Sequence, residues 1–469
     1  MQPLSPSTNS PVLVLEEKLP RTYRLMLAGL TLSAFLTSTK FIGSLRNNVG
    51  PFEILGALLI VSFFISPRTQ RPLRFHPVLR LMVFLMVVAV SSQINIPEGR
   101  AAAGIVQLAI LLFLTLFLIA TYNLMRQYQV SPRTLLQMIC YWLLIVGPWI
   151  ITRSVQAGAT IGEAGPFRNR AHMASYMLTA FWIALMYSQW PGIKNRERLV
   201  ALAGAAMSLY AIAVAGRRSV YLSLIIGLLI LAVAFVAARR GNRRSMIAIS
   251  IFVVGLLYAM YQYGPRYLPQ LAFFQSRVAM IDDRLESALG VSQDEAAEFG
   301  FFALQRQGVR MAFEAHPLLG IGWGGFPRSI YSPTGHEVHS TPLRFLAETG
   351  LAGALLYAAV MLSLLLSVLR SWLALRRTAL GNFYLVLAAG YSSLLVSYLY
   401  NRHITERTFW LLLLVILGSE LHARRIVALN AKAVAEREQL QAAKPAPRAG
   451  GRKPLEPSIS GAAFEWRDQ

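Results

Sequence analysis

The chain has 469 residues, 55% of them hydrophobic and only 14% charged, with a formal net charge of +23. Soluble domains carry about 25% charged residues, so the composition excludes an ordinary soluble domain and predicts an all-α polytopic membrane protein. Cys140, the single cysteine, sits in an apolar run, which excludes disulfides and multi-cysteine metal sites within one chain.

Residues 1–22 form a polar, proline-containing segment with Glu16 and Glu17; no removable signal peptide is expected there. A spanning helix needs about 20 mainly apolar residues. Such windows centre on 23–43, 52–66, 77–94, 101–122, 135–152, 172–190, 199–215, 219–238, 245–263, 349–372, 382–400 and 408–423. The expectation is therefore about 12 transmembrane helices, with the second and last the shortest. Basic residues gather in alternate loops: Arg68, Arg71, Arg74 and Arg80; then Arg126 and Arg133; then Lys194, Arg196 and Arg198; then the 239–244 arginines; then Arg376 and Arg377. By the positive-inside bias those loops and both termini are cytoplasmic. The intervening loops are poor in positive charge, holding Arg46 in one and Arg100 in another. Topology and a basic tail over 424–469 thus account for the charge, and nucleic acid is not needed as a partner. That tail is expected to be disordered beyond a first helical stretch and to meet anionic lipid headgroups.

Residues 264–346, between the ninth and tenth spans, form the one large outside segment, predicted as a mainly helical periplasmic loop domain. It carries Arg266, Arg277, Arg284, Arg306, Arg310, Arg328 and Arg344 but no lysine. A guanidinium is a planar, permanently charged fork suited to phosphate oxygens, whereas lysine is a flexible point charge. Leu304, Val309, Met311 and Phe313 recur at helical spacing, His316-Pro317 ends that helix, and "GIGWGGF" follows as a turn. Further on, Ser340 or Thr341 is positioned to cap a helix that has Pro342 in its first turn. That places His339 on a rigid element at the base of the outside domain. With an unperturbed pKa of about 6.5, it is a candidate general base.

Arg217 and Arg218 break the charge rule, standing back to back in the short outside turn "AGRRSVYL". Two readings stand: snorkelling to lipid headgroups, or an anion site assisted by the N-terminus of the eighth helix at Ser219. Lys40, near the outer end of the first span, belongs to the same patch. Arg402, beside His403, and Arg168, Arg170 and His172 in "EAGPFRNRAHMASYM" lie on the same side with a weaker case.

"HSTPLRFLAETGLAG" resembles the H-[NS]-x-x-L-x-x-x-x-E-x-G-x-x-G signature of the O-antigen ligase and O-antigen polymerase superfamily. "HPLLGIGWGGF" is similar to that family's Gly-rich turn, "GPFRNRAHMASYM" to its Asn-rich stretch with Ala171 at a usual asparagine, and "AGRRSVYL" to its S-R-[GS] turn with Arg217 at the usual serine. Ser340 stands where asparagine is commoner. These motifs cover roughly residues 165 to 355, in the family's order and on one predicted membrane face. The resemblance implies a metal-independent, inverting glycosyltransferase of the bacterial inner membrane with a periplasmic active site and no cofactor. It implies an undecaprenyl-diphosphate-linked O-antigen as donor and, in the ligase subgroup, lipid A–core as acceptor. It further implies that His339 and Arg218, with arginines of the large loop, are needed for activity.

The residues suit that chemistry. A lipid diphosphate leaving group gains negative charge as the glycosidic bond breaks, and preorganised cations stabilise it best in a water-poor site. Arg217 and Arg218 come first as diphosphate ligands; Arg306 and Arg310, one helical turn apart, come second. Rival readings are a divalent metal at Asp282, Asp283 and Glu286, a carboxylate pair among Glu298, Glu314 and Glu337, or a polyprenyl-sugar transporter. Transporters usually show internal repeats and midplane charges; neither is evident here. No P-loop is present, so ATP is not expected. Within the superfamily, an O-antigen polymerase and a protein O-oligosaccharyltransferase share every one of these motifs.

Overall fold

A computed structural model describes residues 19–36, 50–66, 72–156, 170–215, 217–238, 296–332, 335–400 and 406–442. The expected ninth span, the 264–295 part of the outside segment with its acidic Asp282, Asp283 and Glu286, and Lys40, Arg168 and Arg402 lie outside the described residues. The chain divides into two compact units, Met1–Arg424 and Arg425–Gln469.

The described residues are helical. In chain order they form α1 (Arg21–Leu36), α2 (Pro51–Ile65), α3 (Pro77–Ser91), α4 (Ala101–Gln127), α5 (Pro132–Gln156) and α6 (Arg170–Ser188). There follow α7 (Asn195–Ala215), α8 (Arg218–Ala238), α9 (Ala296–Ala315), α10 (Thr341–Leu375), α11 (Gly381–Tyr400) and α12 (Arg407–Ala442). Among them, 6 segments are long and apolar enough to cross a membrane: α3 extended to Asn95, α4, α5 to Thr152, α7, α10 and α11. Pro51–Ile65 and Ser219–Ala234 are shorter apolar helices. At 1.5 Å per residue, the 15 residues of α2 reach about 22 Å, short of a hydrocarbon core about 30 Å thick.

Local chemistry starts these helices where the sequence allows. Pro77 opens α3, and His76 caps it, its Nδ1 accepting from Val78 N at 3.2 Å. Pro51 opens α2, where Glu53 Oε2 accepts from Gly50 N at 2.8 Å. The other carboxylate oxygen of Glu53 pairs with Arg407 at 2.6 Å, tying the start of α2 to the start of α12. In the packing, α10 lies against α3, α9 and α11, while α11 also packs on α6 and α8. Of the membrane-length helices, α11 is the most enclosed, with 72% of its apolar window buried. Lipid therefore cannot be the solvent on most of its surface. The first turns of α10 carry the site.

Candidate functional site

The helix expected from Val309 and its neighbours is α9, and it ends at Ala315, immediately before His316-Pro317. Its inward face supplies Val309 and Ala312 to a small core with Ile321, Phe326, Val338 and Ala347. The Gly-rich turn then folds back on α10. Gly320, Gly322 and Gly324 all have positive φ (66°, 96° and 80°), a region that suits glycine.

α10 is kinked where the turn meets it. Gly350 leaves helical geometry at φ 63°, ψ −162°. The carbonyls of Ala347 and Glu348 would ordinarily accept from Leu351 and Ala352. They accept instead from Ile321 N and Gly322 N, both at 3.0 Å, while Leu351 N and Ala352 N donate to Pro317 O (2.8 Å) and Leu318 O (3.2 Å). Two helical hydrogen bonds are thus exchanged for four to the turn, so the buried backbone stays satisfied.

The connection between α3 and α4 fastens the other side of the turn. Ser92 Oγ accepts from Trp323 N at 3.1 Å, Gln93 Nε2 donates to Trp323 O at 3.1 Å, and Asn95 Nδ2 donates to Gly320 O at 2.9 Å. Beneath it lies a buried charge pair on α10. Arg344, 1% exposed, bonds Glu348 Oε2 through Nε at 2.9 Å, and its guanidinium lies 4.5 Å from the centre of the Trp323 ring. The same carboxylate oxygen accepts from Gly324 N at 2.9 Å. Arg344 Nη1 stands 3.7 Å from Glu337 Oε2.

His339 is half-buried at the start of this construction. Its backbone N donates to Gln305 Oε1 at 3.3 Å, and Gln305 Nε2 donates to Glu337 O at 2.9 Å. Gln305, on α9, therefore clamps the chain on both sides of Val338. His339 Nδ1 lies 3.1 Å from Glu337 O. A carbonyl only accepts, so in the neutral ring Nδ1 carries the proton and Nε2 keeps its lone pair. Burial, the Arg217 charge and His336 together hold the imidazole below its usual pKa. Ser340 occupies the N-cap position of α10, yet its side chain makes no cap hydrogen bond.

Arg217 directly precedes α8, and its carbonyl accepts from Val220 N and Tyr221 N, both at 3.1 Å. Its charge is one of the causes, after burial, that lower the His339 pKa, so the fold sets these two sequence-predicted residues, 122 positions apart in number, within electrostatic reach of each other. Arg218 is the first residue of α8. Arg306 and Arg310 are exposed on α9, and Arg310 pairs with Glu314 at 2.7 Å. His172 lies 3.7 Å from Glu406. None of these last three lines the cavity at His339, whose volume is about 350 Å³ and whose wall includes Arg100, Gln107, Arg328, Glu337 and Arg344.

Sequence reasoning missed Gln305, Gln107 and the Arg344–Glu348 pair as site residues. Glu348 stood in the quoted motif without a role. Arg100 had a usable signal, being an arginine in an otherwise charge-poor loop.

Membrane-length helices, with a histidine and several arginines gathered where the helix starts meet, define a polytopic helical membrane protein with a polar site at its helix ends. Residues 203–358 match the family model described as O-antigen ligase. That match, over about a third of the chain, supports an O-antigen ligase family protein. That family is one of glycosyltransferase-type activity on lipid-linked polysaccharide in a membrane setting. The matched stretch contains Arg217, Arg218, the Gly-rich turn and His339 through Gly353; no curated protein matches the chain.

Proposed function

We propose that the protein transfers a glycan from undecaprenyl diphosphate to a sugar hydroxyl of lipid A–core, at the periplasmic face of the inner membrane, with inversion. His339 Nε2 takes the proton of the acceptor hydroxyl as that oxygen attacks the anomeric carbon. The bond from this carbon to the diphosphate oxygen breaks, and undecaprenyl diphosphate departs with the electron pair. Arg217 and Arg218 stabilise the charge that develops there, a task in which fixed cations contribute most. Arg306 and Lys40 are further diphosphate ligands in this reading; Arg310, exposed and held by Glu314, is a weaker one, as are Arg168, His172 and Arg402.

The observation that carries the proposal is the setting of His339, half-buried at the start of α10 with Nδ1 3.1 Å from the Glu337 carbonyl and within electrostatic reach of Arg217. A base that must accept a proton is held neutral, with one ring nitrogen engaged and a permanent cation in reach. Phosphate departure and hydroxyl deprotonation need such neighbours.

The test is reconstitution of the purified protein with undecaprenyl-diphosphate-linked O-antigen and lipid A–core, in the presence of EDTA. Wild type should form ladder lipopolysaccharide, and His339→Ala should be folded but crippled. Lengthening of the lipid-linked glycan without use of lipid A–core would replace the ligase with a polymerase. Modification of a protein serine or threonine would make it an O-oligosaccharyltransferase. Carrier flux without any transfer would make it a transporter.

A further inference from the structure

The cavity beside His339 carries polar atoms that nothing in the reaction above employs. Arg100 Nε and Gln107 Oε1 are buried without a hydrogen-bond partner among the described residues, and Arg344 Nη1, likewise without a hydrogen bond, has only the Glu337 carboxylate at 3.7 Å. All three side chains line this cavity. Buried polar groups are overwhelmingly hydrogen-bonded, and an unmet one is destabilising, more so when charged. Three at one cavity point to a ligand.

The neighbouring bonds hold these groups in place. Arg344 is fixed from behind by Glu348 and from the side by the Trp323 ring. Arg100 precedes α4 and donates through Nη2 to Gly324 O at 3.4 Å. Gln107, two turns into α4, packs its side chain on Gly324. Arg328, on the wall, adopts a left-handed conformation (φ 56°), which is uncommon for a residue with a Cβ. The wall has three guanidinium groups against the carboxylate of Glu337 and that of Glu348 behind Arg344, so a net positive charge remains and favours an anion. The free Gln107 oxygen calls for a hydroxyl donor in the same ligand.

We propose that this cavity binds a sugar ring carrying a phosphate or carboxylate, and that it is the acceptor subsite. Arg100 and Arg344 take the anionic group, Gln107 accepts from a ring hydroxyl, and the nucleophilic hydroxyl faces His339 on the same wall. The acceptor assignment rests on the reading of His339 as base; the ligand class rests on the cavity alone. Arg217 is not among the residues of this wall, so in this reading the donor diphosphate it binds lies outside the cavity.

The experiment has two arms, both on the full chain in detergent. Isothermal titration with hexose 6-phosphate, hexuronate and neutral hexose should show an anionic sugar binding at least about tenfold more tightly than the neutral one, since hydrogen bonds to charged groups are worth a factor of ten or more. Arg100→Ala should abolish that preference, and Gln107→Met should weaken the binding of all sugars; both avoid the buried Arg344. In the second arm, transfer is measured to acceptor glycans with and without their phosphate groups. The ratio of kcat/KM for the two should fall about tenfold in Arg100→Ala. Equal binding of neutral and anionic sugars, or a preference kept by Arg100→Ala, overturns the proposal. No transfer to any acceptor, with anion-selective binding retained, overturns the acceptor assignment and the proposed function while the anionic-sugar site stands.

Discussion

Gly320 and Gly350 meet backbone to backbone. A Cβ on Gly320 would fall 2.5 Å from the backbone of Glu348, Thr349 and Gly350, and one on Gly350 would fall 2.5 Å from Leu318 O and 2.7 Å from Gly320 N. Both glycines have positive φ. The Gly-rich turn and the kinked α10 are thus one joint, and it sets the height at which Arg344, Glu348 and His339 stand.

Gly350→Ala should break that joint. Its φ and ψ lie in a region open essentially to glycine alone, where a side chain costs about 1–3 kcal/mol before any clash. Thermal unfolding in detergent, followed by tryptophan fluorescence, should show a clear loss of stability. Transfer should fall with it, since the exchanged hydrogen bonds hold the start of α10.

Arg344→Met should cost about 3–5 kcal/mol, because it leaves the buried Glu348 carboxylate without its cation. Adding Glu348→Gln removes the orphan charge and keeps an acceptor for Gly324 N. The double variant should therefore unfold at a higher temperature than Arg344→Met alone, and a double-mutant cycle measures the coupling.

The pH profile should report His339. As a general base it must be neutral, so activity is lost as pH falls through its pKa. Burial and Arg217 lower that pKa, which places the acidic limb of kcat/KM below the ordinary value of about 6.5. Arg217→Gln removes one of the lowering influences and should move the limb upward. Donor diphosphate neutralises Arg217, so the limb for kcat, which reads the bound enzyme, should lie above that for kcat/KM. His339→Ala should lower kcat about 10²–10⁴-fold without loss of fold.

Cations near the site should differ in weight. Arg217→Ala should lower kcat about 10²–10³-fold, as removal of a preorganised donor does. Arg310 is exposed and engaged with Glu314, and Arg310→Ala should lower it less than about tenfold. Steady-state kinetics on the two variants side by side decides between them.

Much of this was legible in the chain. Apolar length located the helices: each expected span other than the ninth overlaps a described helix, and 6 of the described segments are long and apolar enough to cross a membrane. The spacing of Val309 and its neighbours predicted α9, and His316-Pro317 predicted its end. His339 and Arg217 were singled out from motif order and from a broken charge rule. The equal spacing of Arg306 and Arg310 also placed them on one face of α9, but spacing does not say whether a face looks toward solvent or toward the site.

The sequence by itself determined the membrane class, the helices and the candidate base, because hydropathy, periodicity and breakers act between near neighbours. The tertiary structure decided which side chains share a cavity. Gln93 and Trp323 bond across 230 positions, and Arg100 and Gly324 across 224. No local pattern encodes such contacts: they arise only when the kink at Gly350 releases α10 carbonyls to the Gly-rich turn and brings that turn onto the start of α4.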